Sequence, residues 1–210
     1  MNEEQTGTKE EQTGNTNESS TESTGQTAST APANAADGSQ VSKLMHLADH
    51  HCDLFHTPTN EPFASCMVKG HTENHAVRSP EFKNWLMHRM FVASGRIPTS
   101  HALESALSLL CGKACFAGPK HEVHVRLAQH DDDLIVDLGD AEWQVVRVSR
   151  TNGYEVLKQS PVKFRRPKGA QPLPVPQPGG SFDDLRKFVN LGDENQWKLF
   201  AGFLVGAFHP

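Results

Sequence analysis

Four stretches decide the fold: Val123-His-Val-Arg-Leu127, Leu134-Ile-Val-Asp-Leu138, Trp143-Gln-Val-Val-Arg-Val148 and Tyr154-Glu-Val-Leu157. In the first, Val123, Val125 and Leu127 alternate with His124 and Arg126, the period of a half-buried strand. The loop His130-Asp-Asp-Asp133 and the turn Gly139-Asp140 separate the next two. Asn152-Gly153 before the last is a hairpin signal, because its tight turn needs residues that tolerate positive φ. The spacing predicts a four-stranded antiparallel meander.

Upstream the period lengthens. Ser79-Pro80 pairs a helix-capping side chain with a proline at the first helical position. Phe82, Trp85, Leu86, Met90 and Phe91 then recur at three-to-four spacing, and Gly95 is placed to end the helix. A second helix is expected from near Ser100, carrying Ala102, Leu103, Ala106, Leu107 and Leu110 and ending at Gly112, which closes a helical hairpin. Pro62–Val68 reads as a strand, with Lys69-Gly70-His71 turning into a second around Glu73–Val77. Val41–His56 suits a short entry helix. Downstream, prolines 161, 167, 172, 174, 176 and 178 favour extended backbone. Ser181 and Asp193 then start two C-terminal helices. The fold class is α+β: a helical hairpin packed with an antiparallel β-meander, a proline-rich crossing segment and C-terminal helices.

Four regions follow. Residues 1–43 hold no aromatic, Leu or Ile and too little apolar surface to offset the entropy of ordering, so a disordered tail is expected. Residues 44–160 form the α+β domain, 161–180 a basic proline-rich linker, and 181–210 a helical segment. Of the 25 acidic and 20 basic residues, seven and two precede Leu44, leaving 18 of each. The net charge of −5 therefore belongs to the tail, and the remainder is formally neutral. Broad electrostatic capture of a polyanion is excluded, so any nucleic-acid contact needs a local patch.

No apolar run follows Met1, and Leu199–Phe208 is far short of the roughly 20 residues that cross a bilayer. Four cysteines without secretory context read as reduced thiols. The expectation is a cytoplasmic chain without membrane contact.

Several residue sets carry candidate chemistry. His46 and His50, Cys52 and His56, and Cys111 and Cys115 are each four apart, but zinc signatures pair tighter spacings. Scattered histidines and core thiols is the favoured reading, and no metal is assigned. Asp133 and Asp137 share a strand face. With His124 and His130 nearby, they are weak candidates for metal-dependent phosphoryl transfer; a solvated turn is the competing reading. Lys163, Phe164, Arg165, Arg166 and Lys168 combine cations with an aromatic and could hold a phosphate backbone while Phe164 stacks on a base. The alternative is a solvated linker whose arginines pair with the domain's own acids. No Walker-type loop or nucleophile elbow occurs.

A set of motifs runs from Leu54-Phe-His-Thr-Pro58 through Gly70-His-Thr-Glu73, Arg78-Ser-Pro-Glu-Phe82, His124-Val-Arg126 and His130-Asp131. It continues with Asp137-Leu-Gly-Asp140, Trp143, Pro161-Val-Lys-Phe-Arg-Arg-Pro167, Gly179-Gly-Ser181 and Leu185-Arg186. Together they resemble the region preceding the P-loop ATPase module in bacterial and phage primase–helicase-like "ATP-binding proteins" of mobile elements. The resemblance covers about Leu47 to Pro210. It implies an accessory domain of a DNA-replication protein, binding nucleic acid or a partner, with ATP and Mg²⁺ held only by a downstream ATPase. The chain stops just after its most apolar stretch, so a further domain is expected there, docked through Phe200, Phe203, Leu204 and Phe208. A metal-dependent, primase-like enzyme and a structural adaptor for an ATPase are the alternative readings.

Overall fold

The computed structural model describes residues 31–207, with side chains from Asp37 onward. The chain is α+β. Helix α1 (Ala31–His51) leads into β1 (Cys52–His56), β2 (Pro62–Val68) and β3 (His71–Ala76), an antiparallel sheet in the order β1-β2-β3. Helices α2 (Pro80–Ser94) and α3 (Ser100–Ala117) follow.

The predicted caps are in place. The Ser79 hydroxyl accepts the Phe82 N–H at the start of α2, and Gly95 ends it with φ 66°. A cap that the sequence reading did not name, Thr99, starts α3 by accepting from the Ala102 N–H. One main core lies between the helices and one face of this sheet. Leu44 and Ala48 of α1, Phe82 and Leu86 of α2, and Leu103, Leu107 and Leu110 of α3 pack there against Cys52, Ala64 and Cys66.

Three expectations upstream are corrected. The tail expected over residues 1–43 lies outside the described residues as far as residue 30, but from Ala31 the chain is helical. Asp37 and Gln40 accept hydrogen bonds from the Thr99 hydroxyl and N–H, at 2.8 and 2.9 Å. This part of the helix is held by polar tethers, which a count of apolar residues does not register. The entry helix stops at His51, and Cys52–His56 is instead strand β1, because pairing with β2 buries Phe55 and Cys52. Gly112 does not end α3. The helix runs on to Ala117 because Ala114 continues the buried stripe, outweighing the roughly 1 kcal/mol that an internal glycine costs.

At the end of α3, Gly118 passes against the backbone of β1. A Cβ there would lie 2.5 Å from the Ala114 carbonyl oxygen, 2.8 Å from that of Leu54 and 3.1 Å from the Phe55 Cα. No side chain can rotate away to make room. Gly118→Ala is expected to destabilise the fold by about 1–3 kcal/mol through overpacking, read as a lowered urea midpoint with an unchanged slope.

The second half holds the expected four-stranded meander, with its first strand displaced toward the C-terminus. Strands β5 (Leu127–His130), β6 (Asp133–Asp137), β7 (Val145–Ser149) and β8 (Gly153–Leu157) form a four-stranded antiparallel sheet in chain order. The stretch Val123–Leu127, expected as the meander's first strand, is split: Val123–His124 is β4, which pairs in parallel with a short strand that spacing did not suggest, β9 (Lys163–Phe164), while the meander begins only at Leu127. Phe164 thereby enters a second small core with Ala128, Ile135 and Val145. Trp143, expected at the start of β7, lies before it in left-handed backbone with φ 57°.

The proline-rich segment is not a free linker. Its Leu173 N–H donates to the Leu138 carbonyl at 2.7 Å, and Arg126 Nη2 donates to the Gln171 carbonyl at 3.0 Å. Beyond Pro176, among the described residues, no hydrogen bond or ion pair links the chain back to the sheets. A 3₁₀ turn (Phe182–Lys187) and helix α4 (Glu194–Ala207) instead pack on each other around Trp197.

Candidate functional site

Strand alternation divides the first sheet into two faces. One faces the helices; the other carries a row of directly opposed polar residues, Asp53, Ser65 and Asn74 on β1, β2 and β3. This second face forms one wall of a cleft of about 600 Å³. The opposite wall comes from the β4 region and the meander, with His121, Glu122, His124, His130, Asp137 and Trp143; Lys163 and Phe164 of β9 also line it.

A hydrogen-bonded chain runs through the cleft. Lys163 Nζ lies 2.7 Å from Ser65 Oγ, and Ser65 Oγ lies 2.6 Å from Asn74 Oδ1. Asn74 Nδ2 donates in turn to the Phe164 carbonyl at 3.0 Å, fixing the amide's orientation. Ser65 is 5% exposed and Asn74 7%. The Lys163 ammonium lies 4.5 Å from the Phe55 ring centroid. Burial lowers the Lys163 pKa below the ordinary lysine value, with Asp53 opposing the shift. Burial, then the neighbouring Lys163 charge, also lowers that of His121.

At the other end of the cleft, Arg166 grips Asp137. Its Nε and Nη2 donate to the two carboxylate oxygens at 3.0 and 2.7 Å. The guanidinium also bonds the Asp140 carbonyl and lies 3.9 Å from the centroid of the Trp143 ring. Trp143 in turn stacks on His71 of β3, with ring centroids 6.2 Å apart, joining the two sheets. On β3, Glu73 takes His71 at 2.8 Å and His75 at 2.9 Å. The His75 hydrogen bond holds the Glu73 carboxyl below the usual range, against burial and with help from His71.

The basic stretch read as a phosphate contact is largely folded inward. Phe164 is 2% exposed, so its ring cannot stack on a base. Lys163 is committed to Ser65 and Arg166 to Asp137 and Asp140. Arg165 is exposed, and Lys168 is exposed 3.9 Å from Glu81. Two outward cations do not make a nucleic-acid footprint. The sequence reading in which these arginines pair with internal acids describes Arg166.

The carboxylate pair also separates. Asp137, His124 and His130 line the cleft, but Asp133 does not; it lies 3.7 Å from Arg147 Nε. Asp137 is neutralised by Arg166, so the two acids do not share an ion site. Cys52 and His56 lie four residues apart on a strand, about 13 Å at its usual rise, too far to share a metal. Cys52 instead faces Cys66 across the ladder, and that hydrogen bond, then burial, pushes its thiol pKa up. His46 and His50 meet on α1 at 3.1 Å, and Cys111 and Cys115 share α3. Among the described residues no group of three or more such side chains could hold a metal.

The C-terminal unit presents the expected apolar surface with a changed membership. Trp197, Phe200 and Leu204 turn inward, Trp197 lying 5.1 Å from Phe182 and 5.7 Å from Phe200 between ring centroids. Leu199 and Phe203 face outward, 76% and 69% exposed, with Gly202 and Gly206 on the same side. Phe208 lies outside the described residues.

Sequence reading missed Ser65, Asn74 and His121. The available signal was Ser65 itself, a lone hydroxyl sharing a strand face with Phe63 and Met67 in an otherwise apolar strand. No helix among the described residues is long and apolar enough to cross a membrane. No family model, curated protein or solved structure matches this chain.

Proposed function

We propose that the chain is a docking module of a mobile-element replication assembly, joined through its C-terminal unit to a P-loop ATPase domain. The carrying observation is the exposed apolar face of α4. Leu199, Gly202, Phe203 and Gly206 recur at i, i+3, i+4 and i+7, the spacing by which a helix enters a partner's groove. The two glycines let a partner's backbone approach closely. Phe188, 82% exposed, and Val205, 72% exposed, are further exposed apolar side chains of the same unit. A free helix of 14 residues is marginal in water by itself, and the contacts around Trp197 leave Leu199 and Phe203 exposed. The motif resemblance supplies the occupant, a nucleotide-binding domain with its own ATP and Mg²⁺.

Direct DNA contact draws no support from the inward-folded 163–168 stretch, and the reading as a metal-dependent phosphoryl-transfer enzyme loses its carboxylate pair. The adaptor reading is the one the geometry favours. The test is to mix the full chain with the P-loop ATPase module encoded on the same element and measure affinity by titration calorimetry. A one-to-one complex is expected, weakened on the order of 100-fold by Leu199→Asp with Phe203→Asp, as for two central apolar anchors. Unchanged affinity overturns the reading. So does a wild-type homodimer in light scattering that the double variant converts to monomer, since the face would then belong to a second copy.

A further inference from the structure

The cleft between the sheets holds an arrangement that a docking role does not use. A serine hydroxyl lies in hydrogen-bond reach of a lysine amine and is oriented from its other side by a third group. Attacking atom and base thus lie within reach of each other, the first requirement of an activated nucleophile, with the third group holding the hydroxyl rather than the base. We propose that Ser65 and Lys163 form a serine–lysine nucleophile pair acting on an acyl carbonyl, an ester or thioester, bound in this cleft.

Three observations carry the assignment. First, the distances are short and directed: 2.7 Å from Lys163 Nζ to Ser65 Oγ and 2.6 Å from Ser65 Oγ to Asn74 Oδ1. Second, the pair comes from residues 98 apart in sequence, brought together only because β9 crosses the open face of the first sheet. A serine needed merely to satisfy Asn74 would not require a lysine delivered from so far. Third, both groups line a cleft of about 600 Å³, large enough for a small acyl group and its leaving group.

The lysine's environment suits a base. A lysine in water is protonated at neutral pH and has no lone pair to offer. Burial of Lys163 disfavours the ammonium and lowers its pKa, enlarging the neutral fraction at any given pH. While protonated, Lys163 donates to Ser65 Oγ, and the serine proton points to Asn74 Oδ1. Once neutral, Nζ becomes an acceptor at the same distance and takes that proton.

The step balances without an external oxidant or metal. Ser65 Oγ attacks the carbonyl carbon as its proton passes to Lys163 Nζ. The carbon–heteroatom bond to the leaving group then breaks, and Lys163 returns the proton to the departing alcohol or thiol. Acyl-Ser65 is hydrolysed by water that Lys163 deprotonates, releasing a carboxylic acid and restoring the pair. His121 and His124 line the same cleft.

The test is labelling of the full chain by a fluorophosphonate, followed by intact mass and peptide mapping. The reagent's P–F bond breaks as a Ser65 Oγ–P bond forms, with fluoride leaving and the proton going to Lys163. One adduct on Ser65 is expected, forming faster as pH rises toward the lysine range and lost when the chain is unfolded in urea. Lys163→Arg keeps the positive charge and a donor to Ser65 but removes the base. It should slow labelling by at least ~100-fold, the lower bound of a general base's contribution, in a protein whose circular dichroism is unchanged. If Lys163→Arg fails to fold, Lys163→Gln is the substitute, with the same expectation. Absence of a Ser65 adduct on the folded wild-type chain, or labelling of folded Lys163→Arg at the wild-type rate, overturns the proposal. These results are independent of whether α4 binds an ATPase.

Discussion

Asp137→Ala should lower the unfolding free energy by about 3–5 kcal/mol, the cost of removing one partner from a buried ion pair. The Asp137 side chain is 2% exposed and that of Arg166 15%. Its carboxylate accepts both prongs of the guanidinium and also the Gly139 N–H at 3.2 Å. Alanine leaves a largely enclosed guanidinium with only the more distant Asp140 carboxylate, 3.7 Å away, and a backbone donor without an acceptor. Against a total stability of roughly 5–15 kcal/mol, this is a large fraction. Urea denaturation monitored by Trp fluorescence reads it directly, since Trp143 stacks on the guanidinium concerned. Restoring neutrality with Asp137→Leu and Arg166→Met together should recover part of the loss, because two apolar groups leave no uncompensated charge. A single variant within 1 kcal/mol of the parent would show that the pair is not what fastens β9 to the meander.

The same pair changes how a DNA-binding experiment on this protein must be read. Substituting Arg165 and Arg166 together removes one exposed side chain and one internal one. Reduced retention of DNA by that double variant would follow from partial unfolding alone. Arg165→Ala by itself is the clean probe of a phosphate contact, because its side chain is exposed and only its backbone N–H is engaged, donating to the His124 carbonyl at 2.8 Å.

What was legible in the sequence was local. Ser79 and Gly95 act within a few residues of themselves, and alternation in β6–β8 reports a face that neighbouring strands share. The failures are all non-local. Whether Leu54 and Phe55 continue a helix or begin a strand is decided by β2, which lies beyond a turn. Whether Lys163–Lys168 is a linker or a strand is decided by β4 and by Asn74, far back in the chain. Charge patterning could not assign Arg166, since the difference between a solvated cation and a clamp is the position of Asp137 and Trp143 in space. The docking face was seen as a helix, but its register was not: the inward turn of Trp197 exposes Leu199 where Phe200 had been expected.

The two proposed surfaces sit on different parts of the chain and answer to different physics. The α4 face is apolar and convex and joins the sheets only through the segment beyond Pro176. The cleft is polar, enclosed by two sheets and held by hydrogen bonds of known partners. Disrupting one therefore leaves the other intact, so that Phe203→Asp should not alter Ser65 labelling and Lys163→Arg should not alter complex formation.

Phe164→Ala is the sharpest separation between the nucleic-acid reading of the basic stretch and the one the fold supports. If the ring served to stack on bases, alanine would weaken single-strand binding by about 1–3 kcal/mol per base and leave stability alone. In the structure the ring is 2% exposed and packs with Ala128, Ile135 and Val145. Its own carbonyl anchors Asn74, and its neighbour Lys163 holds Ser65. Truncation should cost about 3–5 kcal/mol through lost burial and the cavity left behind. It should also loosen β9 enough to slow fluorophosphonate labelling of Ser65, because the base then wanders from its 2.7 Å approach. Phe164→Leu, which refills most of the volume, should restore most of the stability and the labelling together. A folded Phe164→Ala chain of parental stability would move the ring out of the core and return it to the surface.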